Sequence, residues 1–164
     1  MPNLKTPQLQ GFPAEAEPTR HRALLDRIAD GSEPEPPCVR RLGLPRISSW
    51  SPGFAECETT LGDDVCWTPG VVFGGYASCL ADQFAGLVML SVLPDDAGFL
   101  TAGVEVSFHA PLVPGKVFIQ ATLTDLADRH AVVEVQFKQR DRVCVKAQAK
   151  QIILRGYATP IKQD

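Results

Sequence analysis

One acid, Asp82, stands alone in an uncharged run that begins after Asp64 and ends before Asp95. Taking a carboxylate out of water is costly unless it is paired or put to use. A lone acid among aliphatic, aromatic and small side chains is therefore a candidate for proton transfer or nucleophilic attack. Eight residues before it comes a glycine pair, Gly74-Gly75, ahead of apolar residues that recur at helical spacing. The first amides of a helix lack intrahelical acceptors and lie at the positive end of its dipole, and a glycine lets an oxygen come close to them. The Gly74 amide is thus the candidate oxyanion donor, the plainer alternative being that the pair merely turns the chain. For Asp82 the plainer alternative is a buried structural acid holding the helix in register, and the Gln83 and Thr101 side chains are candidate donors to it.

At 1.5 Å per residue along one helix, Gly74 and Asp82 lie roughly 12 Å apart, too far for both to touch one reacting carbonyl. If both act, one comes from a second copy, which predicts a two-fold dimer with paired sites. Phe73, Tyr76, Trp67 and Phe84 are candidates for an apolar slot, although rings near a buried helix more often form plain core. Gly86 and Thr101 are candidates for the edge of the site.

These residues need a helix to carry them and a layer to hold it. Tyr76 to Leu93 has Ala77, Leu80, Ala81, Phe84, Leu87, Val88 and Leu90 at spacings of three and four, and its other faces are apolar too, so it predicts a helix buried on nearly all sides. Ala77, Ala81 and Ala85 give one flank a row of small residues that lets a sheet approach. Before this helix, Thr19 to Asp30 reads as a short amphipathic helix, Glu33 to Pro37 as a break and Cys38 to Pro45 as an extended connector. Arg46 to Ser51 and Phe54 to Leu61 then read as a hairpin. After it, residues 103 to 109, 117 to 124, 131 to 139 and 143 to 154 alternate apolar and polar, and predict four consecutive antiparallel strands. The fold class is α+β, a long central helix wrapped by a mainly antiparallel sheet. The expected division is an arm and short helix over 1–37, the main domain over 38–154, and a tail over 155–164.

With 164 residues, 45% apolar content and a net charge of -3, the chain suits one globular domain with a real core. The absence of a long Lys/Arg run argues against nucleic acid and anionic membranes as partners. The first residues carry Pro, Gln and Glu where a secretion signal has a basic start and an apolar run, so a cytoplasmic chain is expected. Val71 to Leu93 is long enough to raise the question of a membrane span, but an Asp at mid-bilayer costs about 2.5 to 3.5 kcal/mol, and none is expected. Cys38, Cys57, Cys66, Cys79 and Cys144 are far apart, as are His21, His109 and His130, so free, mostly buried thiols and no metal are expected.

The order of elements resembles that of the hotdog-fold acyl-CoA thioesterases, in particular the phenylacetyl-CoA and 4-hydroxybenzoyl-CoA thioesterase branch. Gly70, Gly74-Gly75, Leu80-Ala81-Asp82 and Gly86 carry the resemblance, with a Thr101 to Phe108 strand that leads to Pro111. It covers about residues 39 to 154. The resemblance implies a hotdog fold, hydrolysis of an acyl- or aryl-CoA thioester to free acid and coenzyme A, no cofactor, and a homodimer or dimer of dimers. It also implies Asp82 as base or nucleophile and Gly74 as oxyanion donor; Phe73, Gly75, Trp67, Gln83, Gly86 and Thr101 are the candidates for the substrate side. Lys138, Arg140, Arg142 and Lys146 are the cations available to the coenzyme's phosphates, and His109 is expected at the surface or an interface. Two departures stand out. Members often have His immediately before the glycine pair and Asn several residues earlier, whereas this chain has Phe73 and Trp67 or Thr68 there. The rivals are a non-catalytic acyl-CoA or acyl-carrier binding protein, a structural dimerisation domain, and a dehydratase, the last disfavoured because no His lies near the helix.

Overall fold

The computed structural model describes residues 19–156; the expected arm over 1–18 and most of the tail fall outside them. Helix α1, Arg20–Asp30, starts where the Thr19 side chain accepts from the Arg22 N–H at 3.1 Å and stops at Gly31, whose φ of 82° is left-handed. The stretch expected to be an extended connector instead holds a second helix, α2, Pro37–Leu42. A proline at the first helical position gives up an N–H that has no partner there anyway. The prolines that read as a break therefore start a helix, and Gly43 at φ 61° closes it.

Two short strands, β1 (Ser49–Ser51) and β2 (Phe54–Leu61), form the expected hairpin. A 3-10 turn at Asp63–Val65 leads into a small ribbon, β3 (Cys66–Thr68) with β4 (Val71–Val72), and then comes the central helix α3, Gly74–Val92. Strands β5 (Ala97–Phe108), β6 (Gly115–Leu126), β7 (His130–Gln139) and β8 (Arg142–Arg155) follow.

The main sheet is six-stranded and antiparallel, in the order β1-β2-β6-β7-β8-β5. Val117, Ile119, Ala121 and Leu123 face inward from β6, and Val133, Val135 and Phe137 from β7, as their alternation predicts. The pairing of the last four strands needs a correction. β5 is not the partner of β6; it lies at the far edge and pairs with β8, from Phe99↔Ile153 to Phe108↔Val145, while β6 pairs with β2. The chain crosses the sheet as α3 and emerges beside the opposite edge.

Ala77, Leu80, Ala81, Phe84, Ala85 and Val88 of α3 are buried, and the small alanine flank is among them. By length and composition α3 would pass for a membrane span, but 61% of it is buried inside the fold. α1 crosses its C-terminal half. There the Arg20 N–H donates to Asp95 Oδ1 at 2.7 Å, Arg22 Nε to the Ser91 carbonyl at 3.1 Å, and His21 Nε2 lies 3.3 Å from the Ala97 carbonyl.

Candidate active site

The entry to α3 is held by backbone. The Phe73 N–H donates to the Val65 carbonyl at 2.8 Å and the Val72 N–H to the Leu112 carbonyl at 2.9 Å. Phe73 is the N-cap, and its carbonyl accepts from Tyr76 at 3.0 Å and from Ala77 at 3.3 Å. Having no side-chain oxygen to fold back over the first turn, it leaves the N–H groups of Gly74 and Gly75 without an acceptor among the described residues. Two unpaired donors at the positive end of a helix are what a developing oxyanion needs.

Both glycines are crowded by neighbouring rings. A Cβ on Gly74 would lie 3.1 Å from Phe108 Cζ, and one on Gly75 would lie 2.5 Å from Phe73 Cε1. The Phe73 ring tilts against Trp67, with centroids 5.6 Å apart at 31°. Trp67 is 78% and Phe73 48% exposed, so this pair stands at the surface around the helix start. Beside it Val71, Gly74, Phe108 and His109 wall an open hollow of about 510 Å³.

Asp82 lies on the outward face of the same helix and is exposed, next to exposed Cys79 and half-buried Ser78. This corrects the expectation of a buried acid: at about 100° per residue its apolar neighbours Ala81, Phe84 and Ala85 turn inward and Asp82 turns out. Among the described residues no hydrogen bond or ion pair reaches its carboxylate. The donors expected for it are engaged elsewhere. Gln83 Nε2 donates to the Pro45 carbonyl at 3.1 Å, leaving Oε1 unpartnered, and Thr101 Oγ1 donates to Gln151 Oε1 at 3.1 Å. Of the rings expected to line a slot, Phe84 is fully buried core, and Tyr76 is buried with its hydroxyl donating to the Gly43 carbonyl at 2.8 Å.

Strand β5 runs antiparallel to α3 along its open side, since Phe108 sits by Gly74 and a Cβ on Gly86 would lie 3.3 Å from Phe99 Cζ. Thr101 is about 7 Å along the strand from Phe99, and Asp82 about 6 Å along the helix from Gly86. The two are therefore at the same level of α3. Behind Thr101 stands Gln151, 1% exposed, its Nε2 without a partner. Sequence reasoning missed this residue. Its signal is a glutamine at an inward position of β8, where Ala147, Ala149 and Ile153 mark the buried register.

Residues 69–146 match the family model of the thioesterase superfamily. The chain adopts the hotdog fold. Its fold is shared with a putative thioesterase of Ralstonia eutropha JMP134, described as phenylacetic acid degradation-related. That structure is 23% identical with a TM-score of 0.68, over 78% of this chain and 98% of the other. A thioesterase of Haemophilus influenzae is 18% identical with a TM-score of 0.69, over 80% of this chain and 90% of that one. A Streptococcus mutans protein solved bound to acetyl-CoA is 21% identical with a TM-score of 0.61, over 67% and 88%. No curated protein matches the chain.

Of the four cations considered for a coenzyme site, Arg142 reaches a residue that walls the hollow beside Gly74, its Nη2 donating to the His109 carbonyl at 3.4 Å. Lys138 donates to Gln120 Oε1 at 2.8 Å on the outward face of the sheet, Lys146 is exposed in register with Ser107, and Arg140 sits in the β7–β8 turn at φ 48°.

Proposed function

We propose that the protein hydrolyses an acyl-CoA or aryl-CoA thioester as a homodimer, in which the Gly74 amide of one copy and Asp82 of the other meet at each site. One observation carries this reading: on the same open side of α3 stand two amides without acceptors and, roughly 12 Å away, a carboxylate without a partner. The open side is also poorly suited to water. β5 is a long edge strand with Leu100 58% and Phe108 53% exposed, the kind of edge that invites pairing with another chain. A two-fold contact along β5 and α3 would cover those side chains and bring the second Asp82 toward Gly74.

In such a site the Gly74 N–H polarises the thioester carbonyl and holds the oxyanion that forms there. The Asp82 carboxylate takes a proton from water while the water oxygen attacks the carbonyl carbon, and collapse of the tetrahedral species breaks the C–S bond to give free acid and coenzyme A. Direct attack by Asp82, with water opening the resulting anhydride, balances equally well. The Thr101 hydroxyl has given its proton to Gln151, so it can only accept; it is suited to hold the second proton of the attacking water. The test is release of free thiol from a series of acyl- and aryl-CoA esters by the purified protein. Full activity in Asp82→Asn would sink the role given to that residue.

The aromatic pair favours one second reading. Trp67 and Phe73 stand where the resemblance leads one to expect polar helpers, and a stacking surface without them suits an acyl-CoA or acyl-carrier binding protein that does not turn its ligand over. Tight calorimetric binding of a non-hydrolysable CoA thioether, with no thiol released from the matching thioester, would select it.

A further inference from the structure

The C-terminal half of α3 carries a second hollow, separate from the one at Gly74. Leu24 and Ile28 from α1, Val39 from α2, and Gly86, Leu87 and Leu90 from α3 wall a cavity of about 330 Å³, a volume within the range of small-molecule sites. Its roof is tied down on both sides. α1 is fixed to the end of α3 through Arg22 and the Ser91 carbonyl, and the segment after α2 is fixed through Gln83 to the Pro45 carbonyl and through Tyr76 to the Gly43 carbonyl. Helices held in this way do not collapse onto the space beneath them. Gly86 is part of the floor through its backbone, and the Phe99 ring packs where its side chain would stand, 3.3 Å from a Cβ there. The charged groups along the rim are already matched, Arg46 with Glu35 at 3.0 Å and Arg27 with Glu33 at 2.7 Å. Gln83, whose Oε1 has no partner, also lines the hollow, so an occupant is mostly apolar and uncharged.

Resting on the thioester reading above, we infer that this hollow houses the acyl part of the substrate and selects an unbranched, uncharged chain of about eight to twelve carbons. Gly86 is one helical turn from Asp82, about 6 Å along the axis, so an acyl group held at the carboxylate and laid along α3 arrives at the cavity floor. A two-carbon group ends short of it. At the ~30 Å³ that a water occupies in the liquid, close to the volume of a methylene, the cavity takes about eleven such groups. Each methylene entering it favours binding by about fourfold. A carboxylate at the far end of the chain would meet no unpaired cation among the residues lining the hollow, so dicarboxylic acyl groups are rejected.

Thiol release is measured across straight-chain acyl-CoA esters from acetyl to palmitoyl, for the full chain and for Val39→Trp and Leu24→Trp. These two variants fill the hollow from different helices, away from the outward face that carries Asp82, and thermal melting shows which of them fold. The expected result is a wild-type kcat/KM highest for octanoyl to dodecanoyl esters. In either folded variant the decanoyl value falls by at least about tenfold while the butanoyl value stays within about twofold. A flat wild-type profile, or a fall that is the same at every length, overturns the inference. If the wild type releases no thiol from any ester, it is the thioester reading that has failed, and the hollow is then decided by calorimetric titration with 1-decanol. Binding to wild type that is lost in the folded tryptophan variant supports an acyl-sized compartment, and no binding to wild type overturns it.

Discussion

The N-terminal half of α3 begins in unpaired amides beside an exposed aromatic pair and carries a carboxylate with no partner, whereas its C-terminal half is roofed by α1 and α2 and tied down through Arg22 and Gln83. In the open half, donors and acceptors go unmatched and apolar side chains of β5 face water. In the closed half, the charged groups at the rim are paired, and what is left over is space with one unpartnered oxygen, Gln83 Oε1. The first pattern is what a surface looks like when a second copy is needed to complete it; the second suits a ligand that brings carbon rather than charge.

Asp82→Asn tests the open half most severely. It should lower kcat/KM by about 10² to 10⁴-fold with no loss of melting temperature, because the side chain is exposed and bonded to nothing among the described residues. Gly74→Val comes next. The new side chain must push on Phe108 and crowd the free amides, and a fall of about 10²-fold in kcat is expected, with coenzyme A binding, read by calorimetry, much less affected.

Gln151→Leu should cost about three- to tenfold in kcat and leave stability unchanged or raised, because it removes a buried unpaired nitrogen along with the acceptor for Thr101. Thr101→Val should cost about the same, and the double variant no more than either single one, as for two members of one unit. Additive losses would show that the pair does not act together.

The smallest effect belongs to the core. Burial, and next the neighbouring Glu56, push the Cys57 thiol up from 9.0 to about 12. Above pH 9 the unfolded thiol loses its proton while the folded one keeps it, so stability falls as pH rises from 9 to 12. Cys57→Ala should melt with a shallower decline across that window, measured by calorimetry at a series of pH values; an unchanged slope would count against this assignment.

Much of this was legible in the chain itself. Alternation in 117–124 and 131–139 located β6 and β7, and the alanine row at 77, 81 and 85 marked the flank of α3 that meets the sheet. Alternation determines which face of a strand is buried but not which strand lies beside it, so the far-edge position of β5 was hidden. α2 was hidden because a proline reads as a breaker until one knows that it stands first in a helix. Asp82 misled in a different way. A helix that is apolar all round predicts burial, yet the fold of one copy covers only part of it. Gln151 was overlooked because a single polar residue in an alternating strand gives no sign of what it will face. The spacing of Gly74 and Asp82, by contrast, asks for two copies through the rise of a helix alone if both residues act on one carbonyl.

Mixing two inactive proteins tests that shared site most directly. Asp82→Asn and Gly74→Val are each expected to be nearly inactive alone. A heterodimer formed by unfolding and refolding them together would hold one site with an intact Gly74 from the first chain and an intact Asp82 from the second. At random pairing, recovery of about a quarter of wild-type thiol release is expected. If mass spectrometry shows that heterodimers have formed and no activity returns, the two residues do not work across an interface, and the central claim is contradicted.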